Sequence, residues 1–478
     1  MSLFRSPQPV VPVRGLHLDL KGVPPTPRRL LELLKIAAAA RYNALLVEWE
    51  DMFPWTVDER FRCETAYCEA DVRSFADQAG RLGLEIIPLV QCLGHMETPL
   101  SVRGYEHLRE LPHLSNCLNP LAPGARQLVE AMIDDVLRLL PDVKRFHLGG
   151  DEAWSFGQHP DTKAYVERHG KGALYLHHVE PILDKLSALG IRPILWSDMM
   201  SHWESPEALR AIGKKADLCP WGYDGHPDQW DYHSRSEVIQ RFKDHGIPLW
   251  GATCYKNGSG HSAELPDAQA RQINALAWAE VTPRFGLKGL FATAWSRFNT
   301  HQMQCVPIDA ALDCLVLVGV CLHDGQAPQG GLEACKGLLE ELGERPRLET
   351  CVAAMKELAG VRHYGWREIQ NLREQIYVGT MDCRRRGSGQ ACEFLRHLRR
   401  HMRAGGDTAA AKFRRAFAGL LDEIWIDRYL GERLEPLWEE LGSLDARVRV
   451  LEPDAYTAMF GQAGAWNTVA PELPLKTP

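Results

Sequence analysis

Residues 14–49 read RGLHLDLKGVPPTPRRLLELLKIAAAARYNALLVEW. The stretch opens on a short apolar run, Arg14–Leu20, and passes through prolines into the helical spacing of RRLLELLKIAAAA. It closes on a second apolar run, Ala44–Trp49. Working outward, the same alternation recurs, with further strand candidates at Leu84–Val90, Arg145–Gly149, Arg192–Ser197, Ala216–Gly222, Pro248–Cys254 and Lys288–Trp295. Between them lie helical patterns such as ARQLVEAMIDDVLRLL before Pro141 and AQARQINALAWAEVTPRF over 268–285. Eight strands, each followed by a helix, over roughly 310 residues predict a (β/α)8 TIM barrel. An open doubly wound sheet is the alternative, but no Gly-rich dinucleotide fingerprint follows the first strand.

The last helix of the pattern, Ile308–Leu322, gives way to HDGQAPQGG, a linker by composition. Strand signals then disappear. Runs such as AAKFRRAFAGLLDEIWIDRYLGERLEPLWEEL (410–441) carry apolar residues at three- and four-residue spacing. The expected organisation is therefore a catalytic barrel over 1–325 and a C-terminal α-helical domain over 326–478, a candidate surface for homodimerisation. The closing PELPLKTP is expected to fray.

Of the 478 residues, 45% are hydrophobic and 24% charged, which excludes a disordered or collagen-like chain. The net charge of −7 gives no reason to expect nucleic acid or an anionic membrane as partner. No apolar run reaches the roughly 18 residues of a membrane span, and the opening MSLFRSPQPVVPVRG lacks the apolar core of a signal peptide. The 13 cysteines are scattered without a CxxC pair. Reduced thiols, most of them core fillers, in a cytoplasmic protein are the expectation.

In such a barrel the chemistry lies where strands end. The first strand runs into Asp19 and Lys21, the second into Glu48, Glu50 and Asp51, and the third into Gly94-His95-Met96-Glu97. The fourth reaches Gly149-Gly150-Asp151-Glu152 and the fifth Trp196-Ser197-Asp198. The last three offer Trp221 and Tyr223, Tyr255 and Asn257, and Trp295 and Arg297. A lone strand-end tryptophan is as often packing as ligand, but carboxylates ringed by three tryptophans suit a sugar. Indoles stack on ring faces while charged groups bond the hydroxyls. Asp151-Glu152 is the sharpest feature. Two adjacent carboxylates share one local field, so one of them resists ionising and can donate a proton. Neighbours at one strand end are poorly placed to flank a glycosidic bond from both sides. They suit a mechanism in which one is the acid and the other orients a nucleophile belonging to the substrate. His95 is expected to touch the site or brace the pair, and His147, inside the fourth strand, to be a buried hydrogen-bonding residue. Neither histidine has companions at metal-ligand spacing, so no metal or other cofactor is expected.

HLGGDEAW at 147–154 resembles the catalytic signature of glycoside hydrolase family 20, the β-N-acetylhexosaminidases. RGLHLDLKG, EWEDMFPW, PLVQCLGHMETPL and LWSDMM extend the likeness, in order, across about residues 13–320. The resemblance implies a TIM barrel and substrate-assisted hydrolysis of terminal N-acetylglucosamine or N-acetylgalactosamine with retention. It implies Glu152 as general acid/base, Asp151 as the residue that orients the 2-acetamido group, and Arg14 as the arginine that binds hydroxyls of the terminal sugar. Trp196, Trp221 and Trp295 match the pocket walls, and Tyr255 the tyrosine that holds the acetamido carbonyl, with Tyr223 as its rival. Asp19, Glu50 and His95 complete the substrate-binding set. Arg297 and Asn257 depart from the family pattern, since acidic residues are common at both positions, and they leave the preferred sugar open. The α/β domain that usually precedes the barrel is not expected. A carbohydrate-binding or sensing protein without turnover is the alternative from another functional class, against which the intact Asp151-Glu152 pair argues.

Overall fold

Alternate residues of a strand point to opposite faces, so each short apolar run must find cover on both sides. A ring of parallel strands wrapped in helices supplies it. The computed structural model describes residues 3–203, 205–230, 232–256, 264–296, 304–381 and 388–461. Strands β1 (Val13–Asp19), β2 (Ala44–Glu48) and β3 (Glu85–Leu89) are followed by a small antiparallel pair, β4 (Arg109–Leu111) and β5 (Leu114–Leu118). Then come β6 (Arg145–His147), β7 (Arg192–Trp196), β8 (Asp217–Cys219), β9 (Gly251–Cys254) and β10 (Gly289–Thr293). The eight-stranded sheet runs β8-β7-β6-β3-β2-β1-β10-β9. Its edges meet through the parallel bridges Leu218↔Leu249 and Trp221↔Ala252. The eight expected strands are all present with trimmed ends. The β4–β5 hairpin, which the apolar pattern does not reveal, is inserted between the third and fourth barrel strands.

The barrel helices are α1 (Pro27–Ala39), α2 (Glu69–Arg81), the single turn α3 (Glu97–Leu100), α4 (Ala125–Leu139), α5 (Pro160–His169), α6 (Lys171–Ala188), α7 (Pro206–Lys215), α8 (Ser236–Asp244), α9 (Ala268–Phe285) and α10 (Leu312–Asp324). Their starts follow from local chemistry. The Thr26 hydroxyl accepts the Arg29 N–H ahead of Pro27, and Asp267 accepts the N–H groups of Gln269 and Ala270. Inside the barrel, Ala44, Leu46, Ile87, Leu89, Ile194, Trp196, Cys219, Trp250, Ala252 and Phe291 form one buried cluster. Trp250 and Phe291 stack at 4.9 Å. A Cβ on Gly15 would lie 2.4 Å from the Phe291 ring, so the first strand needs a glycine there.

By contacts the chain divides into Met1–Leu348 and Glu349–Pro478. This border lies beyond the 325/326 border read from the sequence. Helix α11 (Gly331–Glu341) belongs with the barrel unit, where it buries Cys335 and Leu339. Just after it, Glu344 holds the Arg29 guanidinium through both carboxylate oxygens at 2.9 Å. The second unit is built from α12 (Arg345–Met381) from Glu349 onward, α13 (Gln390–Phe417), α14 (Glu423–Leu451) and α15 (Pro453–Phe460). Phe413 stacks on Tyr429 at 4.8 Å in its core, and the Tyr456 hydroxyl donates to buried Asp445 at 2.8 Å. Among the described residues no helix is long and apolar enough to cross a membrane. Every described cysteine except Cys63 and Cys68 is buried.

Candidate active site

The fourth barrel strand delivers the carboxylate pair through a turn that only glycine fits. Gly149 and Gly150 have φ of 59° and 80°. A Cβ on Gly149 would fall 1.8 Å from the Gln91 amide, and one on Gly150 2.6 Å from the Tyr175 hydroxyl. Gln91 Oε1 accepts the Gly150 N–H at 3.3 Å, and the Tyr175 hydroxyl donates to the Gly150 carbonyl at 3.2 Å. The backbone beyond is held in the left-handed region at Glu152, with φ 46°. That geometry is unfavourable for a non-glycine residue and is retained only where the surroundings over-determine it.

From the third barrel strand, Gly94 lies so close that a Cβ would sit 2.0 Å from the Asp151 carbonyl. His95, at φ 54°, follows. Its Nε2 stands 3.6 Å from Asp151 Oδ2 and 3.4 Å from Glu152 Oε2. Burial disfavours a charged imidazole there, but the charge of Asp151 and hydrogen bonds to both carboxylates outweigh it and raise His95 well above its ordinary pKa. His95 therefore braces the pair as a cation. Both carboxylates, delivered by consecutive residues of one turn, reach the same imidazole nitrogen. Behind them, Asp198 Oδ2 accepts the Glu152 N–H at 2.9 Å. Burial, followed by the charge of Asp151, pushes Asp198 up to about 7. Sequence alone marks Asp198 only as a strand end and does not reveal this support.

A second charged cluster lies beneath. Lys21 Nζ sits 3.0 Å from Asp19 and 2.9 Å from Glu48, and 5.4 Å from the centre of the Trp295 ring. His17 Nδ1 accepts the Ala294 N–H, which leaves Nε2–H toward Glu48 at 3.4 Å. Asp19 also accepts the Ser296 N–H at 2.7 Å. Burial opposes ionisation of both partners, yet mutual attraction holds Glu48 well below and Lys21 well above the ordinary range. Glu50, at φ 47°, accepts the Thr98 hydroxyl at 2.6 Å. Burial lifts it to about 8, with the charges of Glu48 and Asp51 adding and Lys21 opposing. Glu48, Glu50, Gln91 and His95 line one small cavity.

The aromatic residues close the pocket. Trp196 and Trp295 lie 6.3 Å apart, Tyr223 and Trp295 6.4 Å, and Trp221 stacks on Tyr223 at 5.3 Å. The indole N–H groups of Trp196 and Trp221, and Asp151 Oδ1, are buried with no hydrogen-bond partner among the described residues. Such groups are costly to leave unmet and mark where a polar ligand belongs. His147 is buried as expected. Its Nδ1 accepts the Gly149 N–H at 3.0 Å, and burial, with the neighbouring His17 adding, holds it down to about 3.

One expected site residue lies elsewhere. Arg14 stands at the start of β1, the end of the barrel away from the carboxylates. Its guanidinium donates to the carbonyls of Val11, Pro12 and Arg41. Past the other end of the same strand, Lys21 brings a cation to the site. Tyr255 follows Cys254 at the end of β9, and its backbone N–H donates to the Thr293 carbonyl at 3.0 Å. Burial, with the charges of Asp19 and Asp309 adding, raises its hydroxyl well above the ordinary pKa. Tyr223 shares the inward parity of Cys219 and Trp221. It lies close enough to feel the charge of Asp151, and its hydroxyl is hydrogen-bonded with Trp295 and Thr293. Asn257 and Arg297 lie outside the described residues. Among the described residues no group of three or more His, Cys, Asp or Glu is placed to hold a metal.

Comparison with known proteins bears on this geometry. The model of the glycosyl hydrolase family 20 catalytic domain matches residues 12–222. Hexosaminidase D of Homo sapiens is 32% identical over 313 residues, covering 63% of this chain and 64% of the human protein, just under two thirds of its length. Hexosaminidase D of Bos taurus is 31% identical over 326 residues, covering 65% of this chain and 91% of the bovine protein. In fold, the chain is similar to the chitobiase of Flavobacterium johnsoniae, with a TM-score of 0.57 at 14% identity, over 94% of this chain and 78% of that one.

Proposed function

The chain belongs to glycosyl hydrolase family 20, and on that premise we propose that it is a retaining exo-β-N-acetylhexosaminidase working by substrate-assisted catalysis. The observation that carries the proposal is that one strand-end turn delivers both Asp151 and Glu152 against His95. Two carboxylates flanking the bond would serve as acid and nucleophile, whereas neighbours on one strand-end turn favour an acid and an orienting group. The nucleophile must then come from the substrate.

In the proposed reaction a terminal N-acetylglucosamine or N-acetylgalactosamine enters the cage of Trp196, Trp221 and Trp295. The free Asp151 oxygen accepts the acetamido N–H. The Tyr223 hydroxyl donates to the acetamido carbonyl, whose oxygen attacks C1 as the C1–O bond breaks. Glu152 gives its proton to the departing oxygen. Water then attacks C1 of the oxazolinium ion, Glu152 takes a proton back, and two inversions leave the configuration retained. His95, cationic beside both carboxylates, favours the charge on Asp151 while Glu152 cycles. Lys21, with Asp19 and Glu48, offers the charged contact for ring hydroxyls. The thirteen scattered cysteines support a cytoplasmic setting as part of the proposal. A homodimer through the helical unit is not supported by these observations.

The test is hydrolysis of paired nitrophenyl N-acetyl-β-glucosaminide and N-acetyl-β-galactosaminide. Turnover of at least one, together with its collapse in Glu152→Gln and Asp151→Asn, is the expected result, and their ratio reports the preferred sugar. Folded protein that turns over neither would return the reading to a binding role.

A further inference from the structure

We propose that Asp198 is a positioning residue for the general acid. Its carboxyl, held in a fixed turn past β7, accepts the N–H of Glu152, keeps that backbone left-handed and so aims the Glu152 carboxyl at the leaving oxygen. This rests on the reading above in one respect, that Glu152 protonates that oxygen. What the reaction requires at residue 198 is an oxygen acceptor, not a charge.

The backbone ladder between β6 and β7 runs out just short of the acid. The Leu148 N–H donates to the Ile194 carbonyl at 2.9 Å, and the Trp196 N–H to the Gly149 carbonyl at 3.1 Å. Past this pair the next link between the two segments is a side chain, with Asp198 Oδ2 accepting the Glu152 N–H at 2.9 Å. The Glu152 carbonyl is held as well, by the Trp154 N–H at 2.8 Å. Both polar backbone atoms of Glu152 are therefore occupied at a φ of 46°, a conformation that a non-glycine residue keeps only when its surroundings enforce it. The Glu152 side chain stays 33% exposed, so the direction of its carboxyl is set mainly from the backbone.

Asp198 is anchored independently of the residue it holds. The Ser201 N–H and hydroxyl both donate to the Asp198 carbonyl, at 3.0 and 2.7 Å. The Met200 N–H closes the turn on the Ser197 carbonyl at 3.0 Å, and Arg241 of α8 donates to the Ser201 carbonyl. Oδ1 of Asp198 is buried with no hydrogen-bond partner among the described residues. The titratable groups facing the carboxyl are Asp151, Glu152 and Tyr175, none of them a cation. Burial, with the charge of Asp151 adding, lifts Asp198 to about 7. A carboxyl so placed acts at neutral pH and below as an oxygen acceptor rather than as a counter-charge. An amide carbonyl can take the same hydrogen bond.

The experiment compares kcat/KM for phenyl and dinitrophenyl N-acetyl-β-hexosaminides, whose leaving oxygens differ in their need for a proton. Asp198→Ala is expected to lower kcat/KM about a hundredfold on the phenyl glycoside but less than about fivefold on the dinitrophenyl glycoside. Asp198→Asn, which keeps the acceptor, is expected to stay within about threefold of the wild type on both. If Asp198→Ala does not fold, Asp198→Ser, whose hydroxyl is too short to reach the N–H, takes its place. Equal losses on the two leaving groups overturn the assignment, and so does an Asp198→Asn variant as slow as Asp198→Ala on the phenyl glycoside. Wild-type protein that turns over neither glycoside defeats the hydrolase reading instead, and hydrogen exchange at the Glu152 amide then decides the role of Asp198. Slow exchange in the wild type and Asp198→Asn, with fast exchange in Asp198→Ala, supports it, and equal exchange in all three overturns it.

Discussion

The two ends of the barrel interior are built from the same strands and both hold charged groups, yet they treat polar atoms in opposite ways. At the lower end, Asp217 is completely buried and its oxygens take Arg192 at 2.7 Å, the Trp250 indole at 2.9 Å and Lys288 at 2.8 Å. Arg14, at the same end of its own strand, is consumed by three backbone carbonyls. At the upper end, Asp151 Oδ1 and two indole N–H groups find no partner among the described residues. The backbone differs too. Of the four non-glycine residues with positive φ among those described, Glu50, His95 and Glu152 sit at the upper end, and Arg41 merely closes helix α1. Polar groups that satisfy one another make a rigid plug, while polar groups left open on a strained backbone make a site. At the lower end Glu85 Oε1 is also unpartnered, but the left-handed non-glycine residues Glu50, His95 and Glu152 gather only at the upper end among the described residues.

That contrast can be broken most severely at the carboxylate pair. Glu152→Gln and Asp151→Asn should each lower kcat/KM by about 10²- to 10⁴-fold while leaving the urea midpoint unchanged. A large loss of stability with little loss of rate would make the upper end structural after all. The lower end should respond in the opposite sense. Asp217→Ala strands the buried Trp250 indole and two cations, and is expected to cost about 3 kcal/mol in chemical denaturation, with the rate per folded molecule within twofold of the wild type. Between these lies the pair of tyrosines. Tyr223→Phe should lower kcat/KM roughly 10- to 100-fold by removing a donor to the acetamido carbonyl, and Tyr255→Phe less than threefold. The reverse order would show that Tyr255, not Tyr223, holds the carbonyl.

The smallest effect concerns pH. Glu50 has a folded-state pKa of about 8 against an ordinary carboxylate at 4.5. Between those values the folded chain keeps a proton that the unfolded chain has lost, so stability present at pH 5 declines as pH rises toward 8. A fall of a few degrees in the thermal midpoint across that window is expected, flatter in Glu50→Gln. A midpoint that rises over the same window would contradict the buried placement of this carboxyl.

Much of this contrast is legible in the chain itself. Alternation of apolar runs with helical spacing locates all eight barrel strands, and Gly149-Gly150-Asp151-Glu152 announces the site because nothing but glycine tolerates that turn. The misplaced arginine is instructive. Arg14 lies five residues before Asp19, at the start of its strand, so the rule that chemistry gathers at strand ends already points past it to Lys21. Tyr223 and Tyr255 both stand past strand ends, and only their charged neighbours, Asp151 for one and Asp19 for the other, distinguish them. Three features need coordinates: the reach of Asp198 to the Glu152 N–H, the file of rings from Trp295 through Tyr223 to Trp221, and the β4–β5 hairpin. Each depends on how segments meet in space, which local pattern cannot encode.

The most direct test of the central claim, that the acetamido group of the substrate is the nucleophile, replaces its methyl hydrogens with fluorine one by one. Each fluorine withdraws electron density from the carbonyl oxygen without altering the leaving group. Because the weakened oxygen is the one that attacks C1, kcat/KM should fall progressively, by about a hundredfold or more at the trifluoro derivative, equivalent to ~3 kcal/mol of barrier. A rate that stays flat across the series would mean that a protein carboxylate or water performs the attack, and that Asp151 and Glu152 do not divide the roles of orienting group and acid between them.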